Sequence, residues 1–134
     1  MHTRSIGDIG EGIACTFLRR QGFAIIAQNY RKKWGEIDII ARRNVPRETI
    51  HFFEVKSVNV WSLKNIHKNL EIYGHNPEEN VHSLKTRHIR RMIETYLNEN
   101  HNGQGSAFEF HVLCVYMNSK TRHARVKWLK NIVL

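Results

Sequence analysis

Read from its beginning, the chain first places apolar residues at helical spacing. Ile6, Ile9, Ile13, Ala14, Phe17 and Leu18 fall on one side of a 3.6-residue repeat, which predicts an amphipathic helix from Ile6 to Arg20. Ser5, with Asp8 three positions on, marks its start, and Gly22 stands just past its end. The period then shortens. "FAIIAQNY" (23–30) predicts a strand, followed by a basic turn at Arg31, Lys32 and Lys33. "GEIDIIAR" and "HFFEVK" predict a hairpin whose turn runs from Arg42 to Glu48 around Pro46. Residues 57 to 77 keep no period, and a long mobile excursion over 58–77 is expected, with room for a short helix. Helical spacing returns in "VHSLKTRHIRRMIETYLNEN". Ser83 is its expected cap, and Leu84, Ile89, Met92, Ile93, Tyr96 and Leu97 form the buried stripe. "FEFHVLCVY" (108–116) is a nearly continuous apolar run suited to the interior of a sheet. A polar turn at Asn118 to His123 leads to a last strand near Ala124 to Trp128. The order αβββαββ predicts one mixed domain spanning 1–134, with helices packed on a central sheet.

The predicted hairpin carries acids where strands normally avoid charge. Alternation puts Glu36 and Asp38 on one face and Ile37 with Ile39 on the other. In the second strand Glu54 and Lys56 share a face with Phe52, while Phe53 and Val55 take the opposite one. A turn centred near Pro46 sets Asp38 opposite Glu54, because both lie equally far from it, and opposed residues point to the same side. A slip of one residue would separate them. The expected register therefore gathers Asp38, Glu54 and Lys56, with Glu36 nearby. Two carboxylates this close repel unless a cation intervenes, and Lys56 and a bound metal are the two available sources of positive charge. Mg²⁺ suits such a site, since it is held by one or two carboxylates, waters and a substrate phosphate. Asp38, Glu54 and Lys56 are accordingly candidates for phosphodiester hydrolysis, with Lys56 orienting water or stabilising the developing charge. A solvated hairpin with cross-strand ion pairs is the competing reading of the same residues. Glu11, at the edge of the first helix's apolar stripe, can lean toward the sheet.

Composition adds direction. A hydrophobic fraction of 41% fits a globular chain, and no apolar run is long enough to cross a bilayer. The opening residues lack the apolar core of a secretory signal, so a cytoplasmic location is expected. Cys15 and Cys114, both in apolar surroundings, read as reduced core thiols. The nine His residues show no zinc-site spacing, and a zinc site is not expected. A formal charge of +9 points toward a polyanion, above all nucleic acid.

The segments "GEGIA", "GFAIIAQNYR", "GEIDIIAR", "FFEVKS" and "NPEENVHSLKTRHIRRMIETYL", taken in order, resemble the YraN-like family of small bacterial proteins. That family is placed in the restriction-endonuclease-like (PD-(D/E)XK nuclease) superfamily, with kinship to archaeal Holliday junction resolvases. The resemblance covers about Ile6 to Leu97. It implies a restriction-endonuclease-like core, Asp38 and Glu54 as ligands of Mg²⁺ or Mn²⁺, Lys56 as the catalytic lysine, Glu11 as an auxiliary acid and Glu36 as a supporting one. Two departures stand out: a longer connection over 58–72, and His111 where relatives often carry Asp.

Two functions from different classes follow. One is a metal-dependent endonuclease acting on DNA, branched or otherwise structured, with Arg31, Lys32, Lys33, the cations at 64–68, and Lys85, Arg87, Arg90 and Arg91 on phosphates. The other is a nucleic-acid-binding module that keeps the fold and charge without turnover. No membrane partner is expected, and a homodimer is left open because enzymes that cut two strands are commonly dimers.

Overall fold

The structure is a computed structural model describing residues 5–43, 49–60, 86–100, 107–118 and 120–134. Its elements run α1 (Ile6–Arg20), β1 (Phe23–Lys32), β2 (Gly35–Arg43), β3 (Ile50–Asn59), α2 (Thr86–Glu99), β4 (Phe108–Asn118) and β5 (His123–Leu129). The strands form one sheet in the order β1-β2-β3-β4-β5. All neighbours are antiparallel except β3 and β4, which run parallel. A parallel pair cannot be closed by a hairpin, and α2 lies on the connection between these two strands.

α1 begins as its sequence indicates. The Ser5 hydroxyl accepts from the Asp8 N–H at 3.1 Å, and Arg19 and Arg20 sit in the last turn, where cations suit the helix dipole. The helix ends at Gln21, and Gly22 takes φ 89°, a conformation that glycine reaches without steric cost.

The sheet separates two apolar layers. Phe52, Ile40, Phe110, Val112 and Cys114 pack with Ile89, Met92, Ile93 and Tyr96 of α2. Phe53, Ile39, Ala41, Leu113 and Val115 pack with Ala14, Cys15 and Leu18 of α1. β4 is buried from Phe110 to Asn118, which accounts for its unbroken apolar run. Cys15 and Cys114 are both buried thiols, not joined in a disulfide. Among the described residues no helix is long and apolar enough to cross a membrane.

Several boundaries differ from expectation. Arg31 and Lys32 belong to β1, not to a turn, because Lys32 pairs with Gly35 and leaves only Lys33 and Trp34 to reverse the chain. Residues 58 and 59 belong to β3, not to the excursion, because they pair with Tyr116 and Met117 of β4. The rest of the expected excursion from Trp61 onward, the Pro46 turn, Ser83, Leu84 and Lys85 lie outside the described residues.

Candidate functional site

The hairpin register comes first, because it decides whether the acids meet. Ile39 pairs with Phe53, Ile40 with Phe52, Ala41 with His51 and Arg42 with Ile50, each pair equidistant from position 46. The antiparallel ladder stops at Ile39 and Phe53, so Asp38 and Glu54 stand where β2 and β3 part. Val55 directs its N–H into this gap, and an oxygen of Asp38, Oδ2, accepts it at 2.7 Å. A carboxylate thus serves where the next strand's carbonyl would otherwise be needed.

Alternation breaks at the same point. Ile37 packs in the α2 layer and Ile39 in the α1 layer, so the two do not share a face as strict alternation requires. Facing this rung on β1 is Asn29, flanked by the pairs Gln28 with Ile39 and Tyr30 with Ile37. Its φ is 52°, outside the extended region. Both strands leave regular geometry where the acid is buried.

α1 reaches the site through Gly10. A Cβ there would overlap the Ser57 Oγ of β3 and lie 2.8 Å from its Cβ, so only glycine permits this approach. The next residue is Glu11. With the Asn29 amide oriented nitrogen-inward, that nitrogen donates to both carboxylate oxygens of Glu11 at 3.2 Å. Gly10, Ser57 and Asn29 were missed in the sequence. A Gly inside a helix and an Asn inside a strand were the available signals.

Charge is concentrated here. Asp38 is 5% exposed. Burial first, then the charge of Glu54, pushes its carboxyl up to about 8, against the opposing Val55 N–H and with help from Glu11 and Glu36. Burial also raises Glu54, although Lys56 pulls it down. The charge of Glu54 acts directly on Asp38, so the two carboxyls do not ionise independently. The Lys56 Nζ lies 3.8 Å from Oε1 of Glu54. The expected acids and lysine are therefore brought together, with Glu11 near enough for its charge to be felt. Glu36 is drawn outward: Arg31 grips its Oε2 through Nε at 3.0 Å and Nη2 at 2.8 Å.

The donor set fits a hard divalent cation. Buried Asp38 and half-buried Glu54 are oxygen ligands whose repulsion such an ion relieves, and among the described residues Lys56 is the cation set against Glu54. Mg²⁺ and Mn²⁺ are the ions this chemistry favours.

The expected phosphate-binding residues divide. Arg31 is engaged by Glu36, Lys32 by Glu99 at 2.6 Å, and Arg90 by Glu94 at 3.4 Å. Arg91 stacks on Trp34 at 4.4 Å, joining α2 to the β1–β2 turn. Lys33 and Arg87 are exposed.

A second cluster was not anticipated. His51, Glu109 and His111 bring one donor atom each within 4.8 Å of one another, a set that could hold a metal ion. The hydrogen bonds assign different work to it. The Asn131 N–H donates to Nδ1 of His111 at 3.0 Å, so the neutral ring carries its proton on Nε2. That nitrogen is 2.9 Å from Nδ1 of His51 and donates to it. A metal on the same nitrogen would demand a fully deprotonated imidazole, and the charges of Arg43 and Lys130 act on His111. The pair reads as a buried hydrogen-bonded link holding the segment after β5. Its rings stack against Phe53, and its members come from strands 60 residues apart in sequence.

The fold and these acids define a class: a small mixed α/β protein, order αβββαββ, whose five-stranded sheet and flanking helices are consistent with a restriction-endonuclease-like core. The sequence model of the Uncharacterised protein family UPF0102 matches residues 10–115. The chain is 35% identical over 131 residues to a UPF0102 protein of Caldicellulosiruptor saccharolyticus, covering 98% of each. It is 35% identical over 109 residues to one from Campylobacter jejuni subsp. doylei, covering 81% of each. A relative in Pelobacter propionicus is 35% identical over 121 residues, covering 90% of this chain and 77% of that one. The chain belongs to family UPF0102.

Proposed function

We propose that this protein is a metal-dependent endonuclease that hydrolyses phosphodiester bonds in DNA. The observation that carries the reading is the meeting of Asp38, Glu54 and Lys56 where β2 and β3 separate. Asp38 and Glu54 would hold Mg²⁺ or Mn²⁺, the Asp38 carboxyl losing its proton as it does so. When bound, that ion lowers the pKa of a water and withdraws charge from the phosphoryl oxygens. Lys56 would donate a hydrogen bond to a non-bridging oxygen or to the attacking water. Its ammonium is kept on the acids' side by Glu54. Glu11 adds negative charge to the site and favours cation capture.

The basic surface formed by Lys33, Arg31, Lys32 and the α2 arginines would follow the phosphate backbone without reading bases. Branched or structured DNA is the substrate class we favour, from the resemblance to junction resolvases. Cleavage of both strands would take two copies or two encounters.

Branched, single-stranded and duplex DNA are incubated with the wild type, Asp38→Asn and Lys56→Ala in Mg²⁺ or Mn²⁺. Cleavage by the wild type that both variants lose supports the enzyme. Salt-sensitive binding without cleavage in either metal, unchanged by the variants, assigns the chain to the binding-module class instead.

A further inference from the structure

Asn29 is a polar residue in a strand, and it adopts a conformation that most residues avoid. Its φ of 52° falls in the left-handed region, which Asn enters at less cost than other non-glycine residues. The amide faces α1, and oriented nitrogen-inward, the orientation that satisfies both groups, its nitrogen lies 3.2 Å from both oxygens of Glu11. Asn29 also stands across from Asp38, between the pairs Gln28 with Ile39 and Tyr30 with Ile37. One residue therefore links the acid on the helix to the rung carrying the acid on the sheet.

We propose that Asn29 is a positioning residue that fixes the Glu11 carboxylate toward a cation held by Asp38 and Glu54. This rests on the nuclease reading. The residue type suits the task. An amide orients a carboxylate by donating to it, yet leaves its full negative charge available to a cation. A Lys or Arg at the same place would neutralise the acid and compete with the ion. The contact to both oxygens fixes the carboxylate more tightly than a bond to one.

The test separates the amide from the backbone. Asn29→Gly accepts φ 52° and removes only the amide, whereas Asn29→Ala removes the amide and strains the backbone. Mn²⁺ affinity is measured by calorimetry without DNA, and cleavage is resolved into kcat and KM. Both are repeated with Asn29→Gly in a Glu11→Gln background, with circular dichroism verifying the fold. The expected result for Asn29→Gly is a loss of Mn²⁺ affinity on the order of 10-fold and a lower kcat at unchanged KM. In the Glu11→Gln background the same change has no further effect, because Asn29 acts through Glu11. Wild-type affinity in Asn29→Gly, with loss only in Asn29→Ala, overturns the positioning role and leaves the nuclease reading intact. So does an undiminished effect in the Glu11→Gln background. Failure of the wild type itself to bind Mn²⁺ overturns both.

Discussion

Asp38→Asn stabilises the metal-free protein and gives up most or all of that advantage when metal binds, and the magnitude follows from the burial of this acid. Asp38 is held at about 8 against an ordinary value of 3.8. Between those limits the native state binds more protons than the unfolded chain, so this group makes stability fall as pH rises from about 4 to 8. Below about pH 4 the carboxyl is protonated in both states and contributes no such slope. At about 1.4 kcal/mol per pH unit the ceiling is about 6 kcal/mol. Relaxation around the charge and entry of water bring the realised cost to about 2–3 kcal/mol. Asparagine removes the charge but can still accept the Val55 N–H through its Oδ1. Urea unfolding, followed by tryptophan fluorescence in chelator, should find the variant about 2–3 kcal/mol more stable at pH 8 and equal to the wild type near pH 4. Taking the difference between the two proteins cancels the titrating groups that do not interact with Asp38, so the slope reports Asp38 together with Glu54. With Mg²⁺ at 100 times its dissociation constant the wild type gains about 2.7 kcal/mol and the variant little, so the advantage shrinks or reverses. A variant whose stability runs parallel to the wild type from pH 4 to 8 would refute the burial argument. Equal stabilisation of both by Mg²⁺ would refute the ligand role.

Other residues give independent checks. Gly10→Ala forces a Cβ into Ser57, and calorimetric melting should show a loss of about 1–3 kcal/mol together with weaker metal binding, partly restored by Ser57→Gly. Burial and neighbouring positive groups hold His111 down to about 3, so its contribution to stability is present above about pH 6.5 and is lost as pH falls toward 3. His111→Phe should flatten that acid-side slope while costing about 1–2 kcal/mol at pH 7 through the abandoned Asn131 N–H, as read by denaturation at pH 7 and pH 5. Lys33→Ala and Arg87→Ala should each lower the salt dependence of DNA binding by about one ion, measured by fluorescence anisotropy, with no change in metal affinity.

Most of the architecture was legible because it rests on local pattern. The spacing of Ile6 to Leu18 and the Ser5 cap locate α1, and a turn centred on position 46 gives the register observed from Ile39 with Phe53 to Arg42 with Ile50, at whose end Asp38 and Glu54 stand. Other features depend on the assembled sheet. That Arg31 and Lys32 continue β1 follows from pairing with β2, which basic residues do not announce. The His51–His111 link joins strands separated by 60 positions, and no spacing within either strand signals it.

Four irregularities that local pattern fails to foretell meet around one rung. Asn29 leaves the extended region, Ile37 and Ile39 part to different layers, the β2–β3 ladder ends at Phe53, and Gly10 admits α1 against Ser57. Each is a cost or an interruption to regular sheet geometry, in addition to the β1 register shift between Ile25 and Ala27. Each also has the same consequence, because together they open a gap, turn Asp38 into it and bring Glu11 beside it. A solvated hairpin with surface ion pairs would need none of them, since exposed charges fit ordinary pleated geometry at little energetic cost. Deviations that over-determine one strained position are typical of sites whose geometry serves a ligand or a reaction. The argument for chemistry at Asp38 therefore stands on the backbone around it as well as on the acids. Restoring regular geometry should test it: an Asn29→Val strand, favouring extended backbone, should pair more evenly with β2 and lose metal binding while the protein stays folded.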